Sequence, residues 1–361
     1  MVLAEITYDG YREALIVDLG EEYFFISTLP FQPSVADSII FKRVPRDFSC
    51  RDLKGYYEGI RGALGRRSSI VFLTAASLDD YIYRVEDGGR IVVVATVGLE
   101  PPVCPGYRGG YGVGTINVAV ILDYGLSYNA MLDLLRVVAE AKSLACSELL
   151  LRCSLRSPGT VTDAIAIGRR LSQDGGMIFA GMATSVGSIV SEAIYRELVG
   201  RGLRKLGLEG FLVNTIGLTL EDLVELTVEA YRKSPVPGVS VEEVRSRARA
   251  TLLRLLEDPN VTSMLVAGRE LDLHALAGSI PGLKAGASWD DESVVVDKLL
   301  ALTLSIYVAG LRGLMAMYWV EELGGVGLTD SMKHRFESRL TLALVASTLA
   351  KVYGELLGER G

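Results

Sequence analysis

Residues 114–123 read GTINVAVILD: a glycine, a run of apolar and β-branched residues of strand length, and an acid at the end. The run does not alternate, and a strand without alternation is buried on both faces. Upstream, IVFLTAASL (70–78) and RIVVVATVG (90–98) are equally dense in β-formers and bounded by turn residues. Between them and the 114–123 run lies the glycine-rich loop GYRGGYGVG (106–114). Downstream, Met131, Leu134, Leu135, Val138, Ala141, Ala145 and Leu149 recur with helical period, which predicts a helix over about 129–150. GTVTDAIAIG (159–168) is a turn leading into a short apolar strand, and residues 177–199 read as strand, Gly/Ser/Thr turn and helix. Residues 1–125 otherwise read as strands and loops. This mix predicts an α/β or α+β domain over 1–208.

Beyond about Gly210 the pattern changes to helices alone. LTLEDLVELTVEAYR (218–232) is amphipathic, with Thr219 placed to cap it and Glu221 and Asp222 in the first turn. Further helical periods cover roughly 240–257, 293–320 and 331–357, separated by loops such as SPVPGVS (234–240) and PGLKAGASWDDES (281–293). An all-helical domain over 211–361 is the expectation.

The chain of 361 residues has 49% hydrophobic residues and a net charge of −7, which argues for real cores and against nucleic acid. The local cluster Arg61, Arg66 and Arg67 reads as a solvated loop. The opening MVLAEITYDG lacks the features of a signal peptide. Leu299–Trp319 is the most apolar stretch, but Arg312 interrupts it, and its unbroken part of about a dozen residues is short of the roughly 18 that span a membrane. A buried core helix is expected there, in a cytoplasmic chain without a membrane span. Cys50, Cys104, Cys146 and Cys153 have no zinc spacing and are expected as buried free thiols. Only two histidines occur, His274 and His334, both expected at the surface or core edge of the helical part. The first two-thirds therefore cannot hold a Ser-His-Asp triad or a histidine-rich zinc site.

FLTAASL (72–78), GTINVAVILD (114–123), AEAKSLACSEL (139–149), GTVTDAIAIG (159–168) and FAGMATSVGSIV (179–190), in this order, resemble the adenosylcobinamide amidohydrolase family over roughly residues 10–205. The resemblance implies hydrolysis of the amide joining aminopropanol to the corrin ring, giving adenosylcobyric acid, with the corrinoid as substrate and no required cofactor. Two elements depart from the family: Ala139-Glu140-Ala141-Lys142 stands where Thr-Glu-Ala-Lys is usual, and Phe31-Gln32-Pro33 where an Asn-Gly-Gly element is usual. More faintly, LTLEDLVE, DPNVTSMLVAG and VVVDKLLALTLSIYVAGLRGL resemble α-ribazole phosphatases and the phosphatidylglycerophosphatase A group. There the expected acidic pair reads Asp297-Lys298, and a lysine would repel Mg²⁺. The helical part is therefore expected to be a degenerate phosphatase that holds no metal. The alternatives are a phosphatase acting on α-ribazole phosphate, or a non-catalytic corrinoid binder. The apolar helices invite self-association into a homo-oligomer.

Lys142 falls inside the apolar stripe of its helix, so it must reach solvent along its stem or pair with a buried acid. Asp123, at a strand end, and Asp163, after a turn, are the candidate partners. Desolvation would lower the lysine pKa and suit it to activate a nucleophile. Glu140 lies on the opposite face, where an i,i+4 pair with Arg136 is the structural account and the family match the functional one. Thr160, Thr162 and Asp163 occupy a glycine turn of the kind that carries site residues or merely satisfies its own backbone. Asp163 is the candidate base or water-orienting carboxylate. Thr115 is a candidate nucleophile that would need an amine base, and Asn117 follows it on the same strand as a candidate substrate contact. Thr184, Ser185 and Gly187 precede a helix whose amides would suit an oxyanion, or form an ordinary cap. Tyr107 and Tyr111 in the glycine-rich loop offer ring faces to a flat ligand.

Overall fold

The computed structural model describes residues 4–109, 114–172, 175–283, 294–322 and 336–358. The chain divides into two compact units, Met1–Lys205 and Leu206–Gly361. The first holds β1 (Glu5–Asp9), β2 (Ala14–Ser27), β3 (Val35–Arg43), α1 (Leu53–Ala63), β4 (Ser69–Thr74), β5 (Ile82–Glu86), β6 (Ile91–Val97), β7 (Pro102–Val103), β8 (Ile116–Leu122), α2 (Tyr128–Glu148), β9 (Gly159–Thr160) and β10 (Ala164–Arg170). Then α3 (Ser185–Ile216) runs on through the boundary and is broken at Gly207, whose φ is 55°.

Eight strands form one mixed sheet in the order β4-β3-β2-β10-β8-β6-β5, with β1 added on β2. β8 and β10 run parallel, as do β3 and β4, and the other pairs are antiparallel. Every residue of β6 and β8 is buried, as their unbroken apolar runs predict. Alternate residues of six strands, among them Phe41, Phe72, Val94, Ala119 and Ala166, fill the inner face. On the outer face α1 covers β3 and β4, with Tyr57 and Ile60 against Ile40 and Val71, while α2 packs on β10. The sheet curls until the edge strand β4 meets β8, where Asn117 Nδ2 donates to the Leu73 carbonyl at 2.8 Å. At that end the apolar filling gives way to Thr74, Thr96, Thr115 and Asn117, all buried.

Several expectations are corrected. α1 stands where loop was expected, because Gly55, Gly59 and Gly62 disguise its pattern; Asp52 caps it by accepting from the Gly55 amide at 2.9 Å. Arg61 belongs to this helix and is buried, donating to the Ser69 carbonyl at 2.9 Å and to Gln32 Oε1 at 2.8 Å, so it is no part of a solvated patch. Residues 178–180 form no strand, and Ile178 and Phe179 are exposed. Cys104 and Cys153 are joined in a disulfide across Cα atoms 6.0 Å apart, so two of the four cysteines are not free thiols. Spacing in sequence could not reveal this, since the fold brings together residues 49 apart. Cys50 and Cys146 are free, and burial pushes the Cys146 thiol up to about 12.

The second unit contains α4 (Leu220–Arg232), α5 (Val241–Leu256), α6 (Pro259–Ala277), α7 (Val296–Glu322) and α8 (Phe336–Leu356). Thr219 and Asp222 form a reciprocal capping box at the start of α4. α6 stands where no helix was expected, because polar and apolar residues are spread around its axis; Asp258 caps it and Pro259 opens it. α7 is not a buried core helix. Ala301, Leu304, Val308, Met317 and Val320 enter the core, but Leu299, Ile306, Leu311, Met315 and Tyr318 are exposed. Among the described residues it is the one helix long and apolar enough to cross a membrane. Its axis breaks at Ala309 and Gly310.

Candidate active site

Lys142 and Asp163 meet at the polar end of the curled sheet. α2 presents Lys142 on its buried face, and Asp163 sits in the turn between β9 and β10. The Lys142 Nζ donates to Asp163 Oδ2 at 2.5 Å and to the Pro158 carbonyl at 3.0 Å. Both side chains are about nine-tenths buried, at 10% and 11% exposure. Asp163 Oδ2 also accepts from the Thr160 amide at 3.0 Å, while Oδ1 accepts from the Ile116 amide at 2.8 Å. The Thr160 hydroxyl lies 2.5 Å from Oδ1 and 2.7 Å from the Gly114 carbonyl, and its single proton serves one of them at a time. The turn thus ties the starts of β8 and β10 to α2 through one carboxylate. Gly159 makes this approach possible: a Cβ there would lie 2.3 Å from Lys142 Nζ and 2.1 Å from Asp163 Oδ2.

Asp163 forms part of the wall of a cavity of about 640 Å³, together with Thr28, Asn117, Thr162, Cys50, Asp47 and Tyr57. Leu29, Pro30, Phe48, Leu53 and Leu73 supply apolar surface. Lys142 lies behind Asp163 and is not on the wall. Asp47 stands at the exposed rim and carries no hydrogen bond or ion pair among the described residues. Burial raises the pKa of Tyr57, with the Arg61 guanidinium acting in the opposite direction, so its phenol is neutral in the physiological range.

The other candidates distribute as follows. Thr115 is buried and donates to Thr74 Oγ1 at 2.8 Å, away from the cavity wall. The Thr162 hydroxyl donates to the Gly114 carbonyl at 3.0 Å. Glu140 is an exposed partner of Arg136 at 2.6 Å. Asp123 is not a partner of Lys142; it pairs with Arg170 at 3.0 Å beyond the far end of β8, about 25 Å along the strand from Thr115. Thr184, Ser185 and Gly187 gather at the start of α3, where the Thr184 hydroxyl accepts from the Gly187 amide at 3.1 Å. That start lies against Asp133, which accepts from the Ala180 amide at 3.0 Å, some 13 Å along α2 from Lys142. Tyr107 is exposed, and Tyr111 and His334 lie outside the described residues. His274 is at the surface, its Nδ1 2.7 Å from Ser279 Oγ. Asp47, Cys50, Tyr57 and Thr28 were missed by sequence reasoning; none carries a spacing signal, and only the fold of β2, α1 and the 45–50 segment onto β8 unites them.

In the helical unit Asp297 is buried and 2.6 Å from the Arg339 guanidinium. No group of three or more His, Cys, Asp or Glu able to hold a metal occurs among the described residues. A larger cavity of about 1140 Å³ in this unit is lined by Arg254, Asp258, Arg312, Lys351 and Glu355 among others. Arg254 and Glu355 pair with each other there at 2.8 Å. We place the site at the smaller cavity because its wall carries buried, fixed polar groups.

Residues 3–206, more than half of the chain, match the adenosylcobinamide amidohydrolase family model. The chain belongs to this family. The family implies a hydrolase acting on adenosylcobinamide, and the cavity lies inside the matched region. The chain is also 25% identical over 114 residues to an uncharacterised protein of Methanocaldococcus jannaschii, covering 31% of this chain and 87% of that one. Among solved structures, 41% of the chain resembles the low temperature requirement C protein of Listeria monocytogenes (94% of that chain, 18% identity, TM-score 0.35). The same share resembles protein ypjQ of Bacillus subtilis (92% of that chain, 17% identity, TM-score 0.34). Likeness at that level says nothing of activity.

Proposed function

We propose that the chain hydrolyses the amide of adenosylcobinamide, releasing adenosylcobyric acid and aminopropanol, at the cavity walled by Asp163 and Asn117. The observation that carries this reading is a cavity-wall carboxylate, Asp163, backed by the buried Lys142 within the family-matched region. Water is the nucleophile in this reading, because the Thr115 hydroxyl is committed to Thr74 and does not reach the cavity. Asp163 orients that water. Lys142, the Thr160 and Ile116 amides and the Thr160 hydroxyl occupy both oxygens of its carboxylate and hold it in one place. The proton passes instead to Asp47 on the rim as the water oxygen bonds to the amide carbon. Asp47 returns it to the nitrogen as the C–N bond breaks. Lys142 is a positioning residue, acting through Asp163.

The cavity is too small for a whole corrinoid, so it takes the side chain carrying the amide while the ring rests outside. The test is incubation of the purified chain with adenosylcobinamide and separation of products by chromatography and mass spectrometry. Adenosylcobyric acid and aminopropanol in equal amounts are expected; substrate unchanged at high enzyme concentration overturns the reading.

A further inference from the structure

We infer that the side-chain carbonyl of Asn117 receives the N–H of the substrate amide and thereby sets the enzyme's preference for amides. The inference rests on the amidohydrolase reading and names a specificity residue within it. Asn117 is 1% exposed yet contributes to the cavity wall beside Thr162 and Asp163. Its Nδ2 donates to the Leu73 carbonyl at 2.8 Å, which fixes the plane of the amide and identifies the opposite end as oxygen. That oxygen, Oδ1, is buried and receives no hydrogen bond from any described residue. The two polar groups next to it on the wall are otherwise engaged: Asp163 has its donors, and the Thr162 hydroxyl is on Gly114. A buried acceptor held rigidly without a donor is unfavourable in a folded protein unless a ligand supplies one.

The complementary ligand group is a single N–H. A secondary amide has one; an ester has none and would set its oxygen against the Asn117 oxygen. In a trans amide the N–H and C=O point in opposite directions. Anchoring the N–H on Asn117 therefore points the carbonyl oxygen away from Asn117. A site built around a buried hydrogen-bonding group rejects analogues lacking the partner far more strongly than a merely apolar pocket does.

The experiment compares kcat/KM for adenosylcobinamide and for its ester analogue, in which oxygen replaces the amide NH. Esters are intrinsically more reactive, so the quantity read is the amide-to-ester ratio. Asn117→Leu is expected to shift that ratio towards the ester by about tenfold or more. With the wild-type protein alone, the N-methylated amide, also lacking the N–H, should bind about tenfold more weakly than the parent amide. This measurement stands even where the leucine variant does not fold. Equal binding of the two amides, or an unchanged ratio in a folded Asn117→Leu that still hydrolyses the amide, overturns the role of Asn117 and leaves the amidohydrolase reading intact. Failure of the wild type to bind or cleave either compound overturns both.

Discussion

Both units bury cations against carboxylates, yet the two sets of pairs are built differently. In the sheet unit Lys142 pairs at 2.5 Å with Asp163, which lines a cavity and accepts from the amides of Thr160 and Ile116. In the helical unit Arg269 and Glu337 are both wholly buried with their nearest charged atoms 3.9 Å apart, and Arg339 holds Asp297 at 2.6 Å. Asp272 beside them caps α8 by accepting from the amides of Phe336 and Glu337 at 2.7 and 3.1 Å. These groups join α6, α7 and α8 to one another. A buried ion pair is thus no mark of chemistry in itself. What separates the two sets is that a carboxylate in the first also forms a surface a ligand can touch.

The largest effect that follows is at Lys142. Lys142→Met removes the cation and leaves Asp163 with its other donors, free to shift in the turn. A fall in kcat of about a hundredfold is expected, of the size that misplacing a reacting group produces, with KM little changed. Gly159→Ala should do the same without altering either charge, because its Cβ would occupy the space between them. A folded Lys142→Met with full turnover would place the pair in the same class as Arg269–Glu337. The converse substitution, Arg269→Met, strands a buried carboxylate. It is expected to cost about 3–5 kcal/mol of stability in the helical unit while leaving amide hydrolysis unchanged below its melting temperature.

Much of this contrast was legible in the sequence. Lys142 breaks an apolar helical stripe, which by itself demands a partner, and Asp163 was one of only two acids placed to provide it. The all-buried β8 was readable from its unbroken apolar run. The far wall was not readable. Asp47, Cys50 and Tyr57 lie 60 or more residues before Asn117 in the chain and reach it only because the sheet curls β4 onto β8. Helix α1, which brings Tyr57, is hidden by its glycines. The disulfide joins Cys104 and Cys153, 49 residues apart, beside the separate pairing of β7 with β9. Patterns of period 2 and 3.6 report local burial, so they find elements and inward-facing charges but not which elements meet.

The two units should also differ in how pH acts on them. Burial pushes the Asp272 carboxyl up to about 7, reinforced by the negative charge of Glu337 and opposed by the two backbone donors and Arg269. A carboxyl whose pKa is raised on folding favours the folded state fully below its unfolded value near 4, and that contribution is lost as pH rises towards 7. The helical unit is therefore expected to be less stable at pH 8 than at pH 5. The comparison is read by hydrogen exchange of the α6 and α8 amides in the full chain. Asp272→Asn should flatten the dependence while keeping an acceptor for the cap. A dependence that persists in that variant would assign it to another group.

The smallest expected effect lies beside the cavity. Phe31 follows Pro30, a cavity-wall residue, and adopts φ 57°, a left-handed conformation that costs a residue with a Cβ roughly 1–2 kcal/mol. The residue is 59% exposed, so little packing offsets that cost. The next residue, Gln32, is fixed by Arg61 Nη2 and the Val71 amide at 2.8 Å each, and these bonds hold the turn whatever stands at 31. Phe31→Gly relieves the strain but widens the freedom of the unfolded chain, an opposing effect of roughly 0.4–1 kcal/mol. The net expectation is a gain of about 1 kcal/mol or less, seen as a small rise in melting temperature. If the glycine variant is as stable as expected but its KM for adenosylcobinamide rises several-fold, the exposed ring acts on substrate: a flat aromatic surface at the cavity mouth, held out by a strained backbone, would be a platform for the part of the corrinoid that the cavity cannot enclose. An unchanged KM would make Phe31 a tolerated departure from the family's usual glycine-containing turn.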